Sequence, residues 1–355
     1  MDFEVRRDDL HEARFVDGDA PELSAGEALL EISRFGLTAN NVTYLVFGDA
    51  MNYWKFFPAS EEGWGRMPVW GFADVAESGH PELEAGKRVY GYFSASTHLV
   101  VRPDRVNDAG FHDSAEHRAD LPVVYNHYVF TDTDPNYEER SEDQQMLLRP
   151  LFATSFLLDD QLADEDFFGT ESIVISSSSS KTALAAAFLI GRREGTEVVG
   201  LTSESRVGFV ESTGAYGRVL SYEQVGELGD GRVAYVDFSG DAELRAGIHR
   251  HLGDGLAASY MVGMTHWTEM SGGGDLPGPK PVFFFAPDRA NKRTSDWGGA
   301  GLRKRIADAW TPFVGWADGW LDVTRSDGLQ ALAAPYHELL EGGVDPAAGH
   351  VISPA

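Results

Sequence analysis

Three stretches of the chain carry side chains that could hold an anion or move a proton. "ISSSSSKTA" (Ile175–Ala183) sets five serines, a lysine and a threonine between a strand-like "ESIVI" and a helix-like "ALAAAFLIGRREG". Hydroxyls and an ammonium at the start of a helix suit a phosphate, because the helix N-terminus presents unpaired N–H groups and a partial positive charge. "VVYNHY" supplies Tyr125, Asn126, His127 and Tyr128, a phenol and an imidazole beside an amide, which suit an acid and the group that orients it. "SYMVGMTHW" places Thr265, His266 and Trp267 just past a strand-like run. A histidine there has an unperturbed pKa near 6.5, as a proton donor to an enolate requires.

The elements that must position these residues follow from periodicity. Short strand patterns fill residues 1–105: "GEALLEISRFGL", "VWGFADVAES", then "GKRVYGYFSASTHLVVRP" as strand, turn and strand. From about 106 to 150 the chain is polar, with "TDTDPNYEERSEDQQ" (Thr131–Gln145) expected to be a solvated acidic loop leading into a helix. "LLRPLFATSFLLDDQLAD" reads as a buried helix. After Gly169, strand and helix patterns alternate at lengths that imply a parallel sheet with right-handed crossovers. "FFFAPDRANKR" brings Arg289, Lys292 and Arg293 together in what reads as a solvated loop, and tryptophans from Trp297 to Trp320 read as core or contact residues.

Composition removes several classes of function. The chain has 355 residues, no cysteine, and 56 acidic against 29 basic residues, a formal charge of −27. Thiolate chemistry and cysteine-bound zinc are excluded, and a nucleic-acid partner is disfavoured by the shortage of basic residues. No window approaches a membrane span and the N-terminal stretch lacks a signal-peptide core, so a soluble, cytoplasmic protein is expected. No G-x-S-x-G elbow and no H-E-x-x-H spacing is present, and "SSSKT" lacks the glycines of a P-loop.

The order of these pieces resembles the medium-chain dehydrogenase/reductase superfamily over nearly the whole chain. "GEALLEISRFGLTANNVTY", "MPVWGFADVAESG", "LEAGKRVYGY" and the closing "YHELLEGGVDPAAGHVIS" carry the likeness. The resemblance implies an α/β protein with a GroES-like β-barrel substrate domain and a Rossmann dinucleotide-binding domain. The barrel would span 1–150, completed by about 315–355, and the Rossmann domain 151–314. A homodimer is also implied. Where zinc alcohol dehydrogenases have Gly-His-Glu, this chain has Gly71, Phe72 and Ala73, so the likeness is to the zinc-free quinone and enoyl reductases, with no metal site. A narrower likeness, to an uncharacterised branch of the superfamily, implies no activity.

Set against the G-x-x-G-x-x-G turn of related reductases, Ser177, Ser180 and Ala183 take the glycine positions. Three readings stay open. Ser177, Ser178, Ser179, Ser180, Lys181 and Thr182 cradle the phosphates; or they are a run of helix caps; or the loss of glycine has abolished dinucleotide binding. The second strand ends in Thr202 and Ser203 with Arg206 beyond and no acid at its end, which favours NADP(H) over NAD, with Tyr222 near the same pocket and Thr265 near the nicotinamide. Enoyl reductases often carry a tyrosine acid after an Asn-containing turn, and here Asn41, Tyr44 and Tyr53 are candidates, Tyr53 by spacing. The expected activity is zinc-independent NADPH-dependent reduction of an α,β-unsaturated carbonyl, an enoyl thioester or a quinone, with Tyr53, Tyr125, His127 and His266 as the candidate acids. The alternatives are a nicotinamide-independent enzyme acting on a carbonyl or acyl substrate and a non-catalytic binding protein on the same fold.

Overall fold

The computed structural model describes residues 1–18, 22–229, 231–262 and 276–355. The chain forms two compact units, Met1–Leu147 with Leu321–Ala355, and Leu148–Trp320. The stretch 315–320, expected with the first unit, belongs to the second because a long helix carries it there.

The first unit is β-rich. Its strands are β1 (Asp2–Arg6), β2 (Ala13–Val16), β3 (Ala28–Leu37), β4 (Trp64–Arg66), β5 (Pro68–Ser78), β6 (Arg88–Ser94), β7 (His98–Val101), β8 (Pro103–Asn107), β9 (Gly110–Asp113) and β10 (His127–Phe130), joined near the C-terminus by β17 (Asp322–Asp327) and β18 (Ala348–Ser353). β2, β1 and β4 form a small sheet. The large sheet runs β17-β18-β3-β5-β6-β10-β9-β8, with β7 also paired to β3. This is the GroES-like unit, and β18 closes it by pairing antiparallel to β3, His350 opposite Leu37. A short helix, α1 (Ala39–Val46), follows β3. It begins at a capping box in which Asn41 accepts from the Thr38 N–H and Thr38 accepts in return.

The acidic run after β10 leads into a helix as expected and is exposed at Asp132, Thr133, Pro135 and from Glu138 to Arg140, but its end is not solvated. Glu142 is 3% exposed and accepts both Nε and Nη2 of Arg88 at 2.9 Å, while Tyr137 donates to it at 3.0 Å. Asp143 is buried against Arg325. A carboxylate in low dielectric is held only where a cation and donors meet it, and the sequence distance to Arg88 hid that partner.

The second unit holds a parallel sheet ordered β13-β12-β11-β14-β15-β16: Arg218–Ser221, Glu197–Thr202, Ser172–Ile175, Val233–Asp237, Leu256–Val262 and Val282–Phe284. This is the Rossmann order. The central strands read as unbroken apolar runs, "SIVI" and "VAYVD", because helices cover both faces of such a sheet. α3 (Lys181–Ile190) packs against it through Ala183, Ala185, Ala186 and Ala187, small residues that permit close approach. α2 (Glu142–Asp164) spans the boundary between the units, and α4 (Val207–Thr213) and α5 (Ala242–Leu252) lie within the second. α6 (Ala286–Ala317) begins where a loop was expected, with a proline in its first turn and a break at Gly298, φ +73°. Among the described residues no helix is long and apolar enough to cross a membrane.

Arg88→Met leaves buried Glu142 with Tyr137 and only the longer 3.6 Å contact to Arg34, and is expected to cost about 3 kcal/mol in urea unfolding. Adding Glu142→Leu should recover most of that loss. If the single variant unfolds at the wild-type midpoint, Arg88 does not hold the helix start.

Candidate functional site

The serine loop keeps many of its hydroxyls for its own structure. Ser176 Oγ donates to Asp237 Oδ1 at 2.8 Å and accepts the N–H groups of Phe238 and Ser239. Ser180 caps α3 by accepting from the Ala183 N–H at 3.3 Å. Ser178 is fully buried, its Oγ has no partner among the described residues, and its carbonyl accepts from Tyr216 Oη at 3.0 Å. A Cβ on Gly200 would lie 3.0 Å from that side chain, so glycine in β12 makes room for serine in the loop. Ser177 has φ +49°, the left-handed region that glycine occupies without cost. The first glycine position of the family pattern thus keeps glycine's conformation without glycine.

The start of α3 nonetheless has capacity for an anion. The backbone N–H groups of Ser179 and Thr182 have no partner among the described residues, and Ser179, Lys181 and Thr182 are half-buried. Ser155 of α2 donates to the Thr182 carbonyl at 2.8 Å, which fixes the helix start from behind. Dinucleotide phosphates suit these donors. At the end of β12, Thr202 is 2% exposed, while Ser203 and Arg206 are half-buried in the turn into α4. Tyr222 reaches the same loop, its phenol bonded to the Ser177 backbone and raised in pKa chiefly by burial.

In the first unit the structure brings together Tyr53 and Tyr125, whose hydroxyls lie 3.2 Å apart. Tyr53 stands in a single turn of helix after α1, and Tyr125 in another just before β10. Tyr44, Phe56, Trp70 and Tyr92 pack around them, with Tyr92 and Tyr125 centroids 4.8 Å apart and Tyr44 and Tyr53 4.9 Å apart. Burial raises the pKa of Tyr53 and Tyr125, so both stay protonated at neutral pH. His127 is not in this cluster. It stands opposite His112 in the β9–β10 register and their rings stack at 4.6 Å, because successive residues of a strand point to opposite faces and His127 therefore faces away from Tyr128 and Phe130. Thr265 and His266 lie outside the described residues.

Several residues were missed by sequence reading. Asp237, at the end of β14, also accepts from Ser239 and Gly240 and pairs with Arg245 at 2.9 Å, but its tie to the serine loop was hidden because Ser176 lies 61 residues earlier. Arg118, 1% exposed, was not considered at all. Arg289 and Arg293 are not free to meet a substrate. Both are saturated by Asp160 and Asp164 of α2, Arg289 Nη1 at 3.0 Å and Arg293 Nε at 2.7 Å, and Arg293 also reaches Asp296. That arrangement clamps α6 onto α2, and it pulls the pKa of Asp164 well below the usual carboxylate range, chiefly through its bond to Arg293. An open cleft of about 400 Å³ beside it, bordered by Asp159, Arg193, Trp297 and Arg305, contains none of the expected site residues.

The profile of a family described as "Protein of unknown function (DUF2855)" matches residues 35–345. No curated protein matches the chain. Among solved structures it is similar to CurA from Vibrio vulnificus in complex with NADPH, at 14% identity over 97% of this chain and 94% of that chain, TM-score 0.60. It is similar to the yhdH oxidoreductase from Salmonella enterica in complex with NADP, at 14% identity over 97% and 95%, TM-score 0.53. A mutant form of enoyl thioester reductase from Candida tropicalis matches at 11% identity over 99% and 98%, TM-score 0.57. At these identities the likeness is one of fold, two units of which the second holds the Rossmann sheet.

Ser177→Gly is expected to raise stability by about 1 kcal/mol in denaturant titration, since a left-handed residue with a Cβ carries roughly that strain. An unchanged midpoint would mean that the loop relaxes without strain at this position.

Proposed function

The chain belongs to the family described as "Protein of unknown function (DUF2855)", and we propose that it is a zinc-independent, NADPH-dependent oxidoreductase that reduces an α,β-unsaturated carbonyl, an enoyl thioester or a quinone. The observation that carries this reading is the start of α3. Unpartnered N–H groups on Ser179 and Thr182, beside Ser179, Lys181 and Thr182 side chains, sit at the carboxyl end of the first strand of a Rossmann sheet. Dinucleotide phosphates bind at that place in such folds. Two structural neighbours crystallised with NADPH or NADP support the same reading. Thr202, Ser203 and Arg206 would take the 2′-phosphate of the adenosine ribose, and Tyr222 would border it.

Bound NADPH supplies a hydride. The chain's own part is to hold the substrate oxygen and to provide a proton, and Tyr53 with Tyr125 is the pair suited to it. One phenol of the pair donates to the other and so leaves a hydroxyl proton for the substrate, with its charge loss shared across a short hydrogen bond. Because burial raises both pKa values, the pair acts as acid and not as base.

One observation favours the nicotinamide-independent alternative. Ser176, Ser178 and Ser180 are committed to internal contacts or burial, so the loop offers fewer hydroxyls than its sequence promises.

Dissociation constants for NADPH and NADH, measured by calorimetry on the wild type, Lys181→Ala and Arg206→Ala, decide between them. Tighter binding of NADPH than NADH, weakened about ten-fold by each change, is the expected result. Absence of binding by either nucleotide would remove the reductase reading and leave the nicotinamide-independent enzyme and the non-catalytic binding protein. The pH profile of kcat is a second check. A tyrosine acid predicts no loss of rate as pH rises from about 6 to about 9, whereas an imidazolium acid would lose rate near its ordinary value of about 6.5.

A further inference from the structure

The open cleft of about 400 Å³ lies within the second unit, where α2 borders it with Phe156, Asp159 and Asp160 and α6 with Trp297, Arg305 and Asp308. Each carboxylate there is already met by a cation. Both oxygens of Asp159 accept from Arg193 at 2.7 Å, Asp160 meets Arg289 and Arg293, and both oxygens of Asp308 accept from Lys304 at 2.8 and 2.7 Å. The guanidiniums are not used up in the same way. Arg193 spends Nε and Nη2 on Asp159, and its Nη1 makes no hydrogen bond among the described residues. Arg305 has neither a hydrogen bond nor an ion pair among them, and its guanidinium lies 4.4 Å over the Trp297 ring. In a chain with 56 acidic residues to 29 basic ones, an arginine without a carboxylate does not lack for candidates.

The backbone is bent to make this stack. In an unbroken helix residues 297 and 305 stand roughly 12 Å apart along the axis, too far for their side chains to lie one over the other. α6 breaks at Gly298, φ +73°, and so returns Arg305 to Trp297. At Gly301 a Cβ would lie 3.2 Å from that of Trp297, so a second glycine clears the turn. Glycine inside a helix costs about 1 kcal/mol relative to alanine, and the stack is therefore held at the expense of helix stability. Trp297 also carries Arg293, 4.6 Å over its ring and itself pinned by Asp160, which fixes the platform. A guanidinium over an aromatic face keeps its in-plane N–H edge open, and that edge takes a carboxylate by two parallel bonds.

We propose that this cleft binds a small aromatic monocarboxylate, with its carboxylate on Arg305 and its ring against Phe156 and the edge of Trp297. Spare donors beside neutralised carboxylates select an anion, and Arg193 adds its charge. Asp160 and Asp308 close by select against a ligand of higher charge, such as a phosphate ester. Phe156 and Trp297, both half-buried, give a ring a surface on which to leave water. The volume lies in the range of small-molecule sites. Neither the start of α3 nor Tyr53 and Tyr125 border this cleft, so the site goes beyond the reductase reading and does not depend on it. Its occupant joins α2 to α6 as the arginine clamp does, which is the part of an effector and not of a reactant.

The probe is 4-fluorobenzoate, titrated into the full chain without nucleotide and followed by its own fluorine NMR signal. Saturable binding is expected, with a dissociation constant on the order of 1 mM or tighter. Arg305→Gln changes an exposed helix position and should weaken binding about ten-fold. Arg305→Lys keeps the charge, loses the fork, and should fall between that variant and the wild type. Arg303→Gln removes the same charge two residues away, from a side chain that does not border the cleft, and should bind as the wild type does. The amide of the same acid supplies the ring without the charge, and trifluoroacetate the charge without the ring. Both should bind at least about ten-fold more weakly than the probe. Lack of saturable binding, equal affinity in Arg305→Gln and wild type, an equal loss in Arg303→Gln, or equal binding of either control compound would each overturn the proposal. None of these outcomes depends on whether NADPH binds.

Discussion

A guanidinium with 1% of its surface exposed cannot stay charged in a protein interior without a carboxylate and further acceptors. Arg118 meets most of that demand from four directions, with Nη2 left without a hydrogen-bond partner among the described residues. Asp113 at the end of β9 lies 3.2 Å from Nη1, Tyr128 Oη is reached at the same distance, and Phe56 O accepts from Nε at 3.3 Å, while the cation sits 4.7 Å over the Phe57 ring. Its own carbonyl accepts from Asn126 Nδ2 at 3.1 Å. The partners on one side belong to the segment that carries Tyr53, and those on the other to the segment that carries Tyr125. Satisfying one buried charge therefore brings two phenols from distant parts of the sequence to hydrogen-bond distance. A hydrophobic residue could fill the same volume, but it would not fix both segments at once.

The same logic governs the second unit with the sign reversed. Asp237, 1% exposed at the end of β14, is an anion that collects Ser176, Ser239, the Gly240 N–H and Arg245. Ser176 thereby ties the turn after β11 to the turn after β14. In a glycine-rich turn the backbone reaches its shape because nothing obstructs it. Here the shape is imposed by hydrogen bonds that the serines themselves make, and Ser177 is carried into the left-handed region as a result. What is left for a ligand is backbone N–H and the outer side chains, which is why the sequence looked richer in phosphate donors than the fold makes it.

How much could be read in advance follows from the range of the interactions. β11, β14 and α3 were visible because "SIVI", "VAYVD" and the alanine-rich run after Lys181 carry their own periodicity. The burial of Glu142 was not, because its partner Arg88 is 54 residues away. Nor was the helical state of "APDRANKR", whose arginines look solvated until Asp160, about 130 residues earlier, is placed beside them. Tyr53 and Tyr125 were each picked out by type and neighbourhood. Their meeting was not legible, since the residue that arranges it, Arg118, sits in the unremarkable run "EHRAD". Tyr44 was a candidate set behind Tyr53 by spacing, and its bond from Trp70, 26 residues on, was not legible.

The choice of phenols over imidazoles sets what this cluster can do. Desolvation raises Tyr44, Tyr53, Tyr92 and Tyr125 alike, so none ionises in the ordinary range of pH and none serves as a base or nucleophile there. Their use is as neutral donors. On Tyr44 the bonds from Trp70 and Asn40 pull against desolvation, each favouring the phenolate, which is why burial raises Tyr44 less than it raises Tyr92 and Tyr125. Imidazoles would have brought a charge that changes near physiological pH. A group of phenols keeps the same donor set across that range, and its selectivity then comes from where an acceptor oxygen lies, not from the charge of the ligand that bears it.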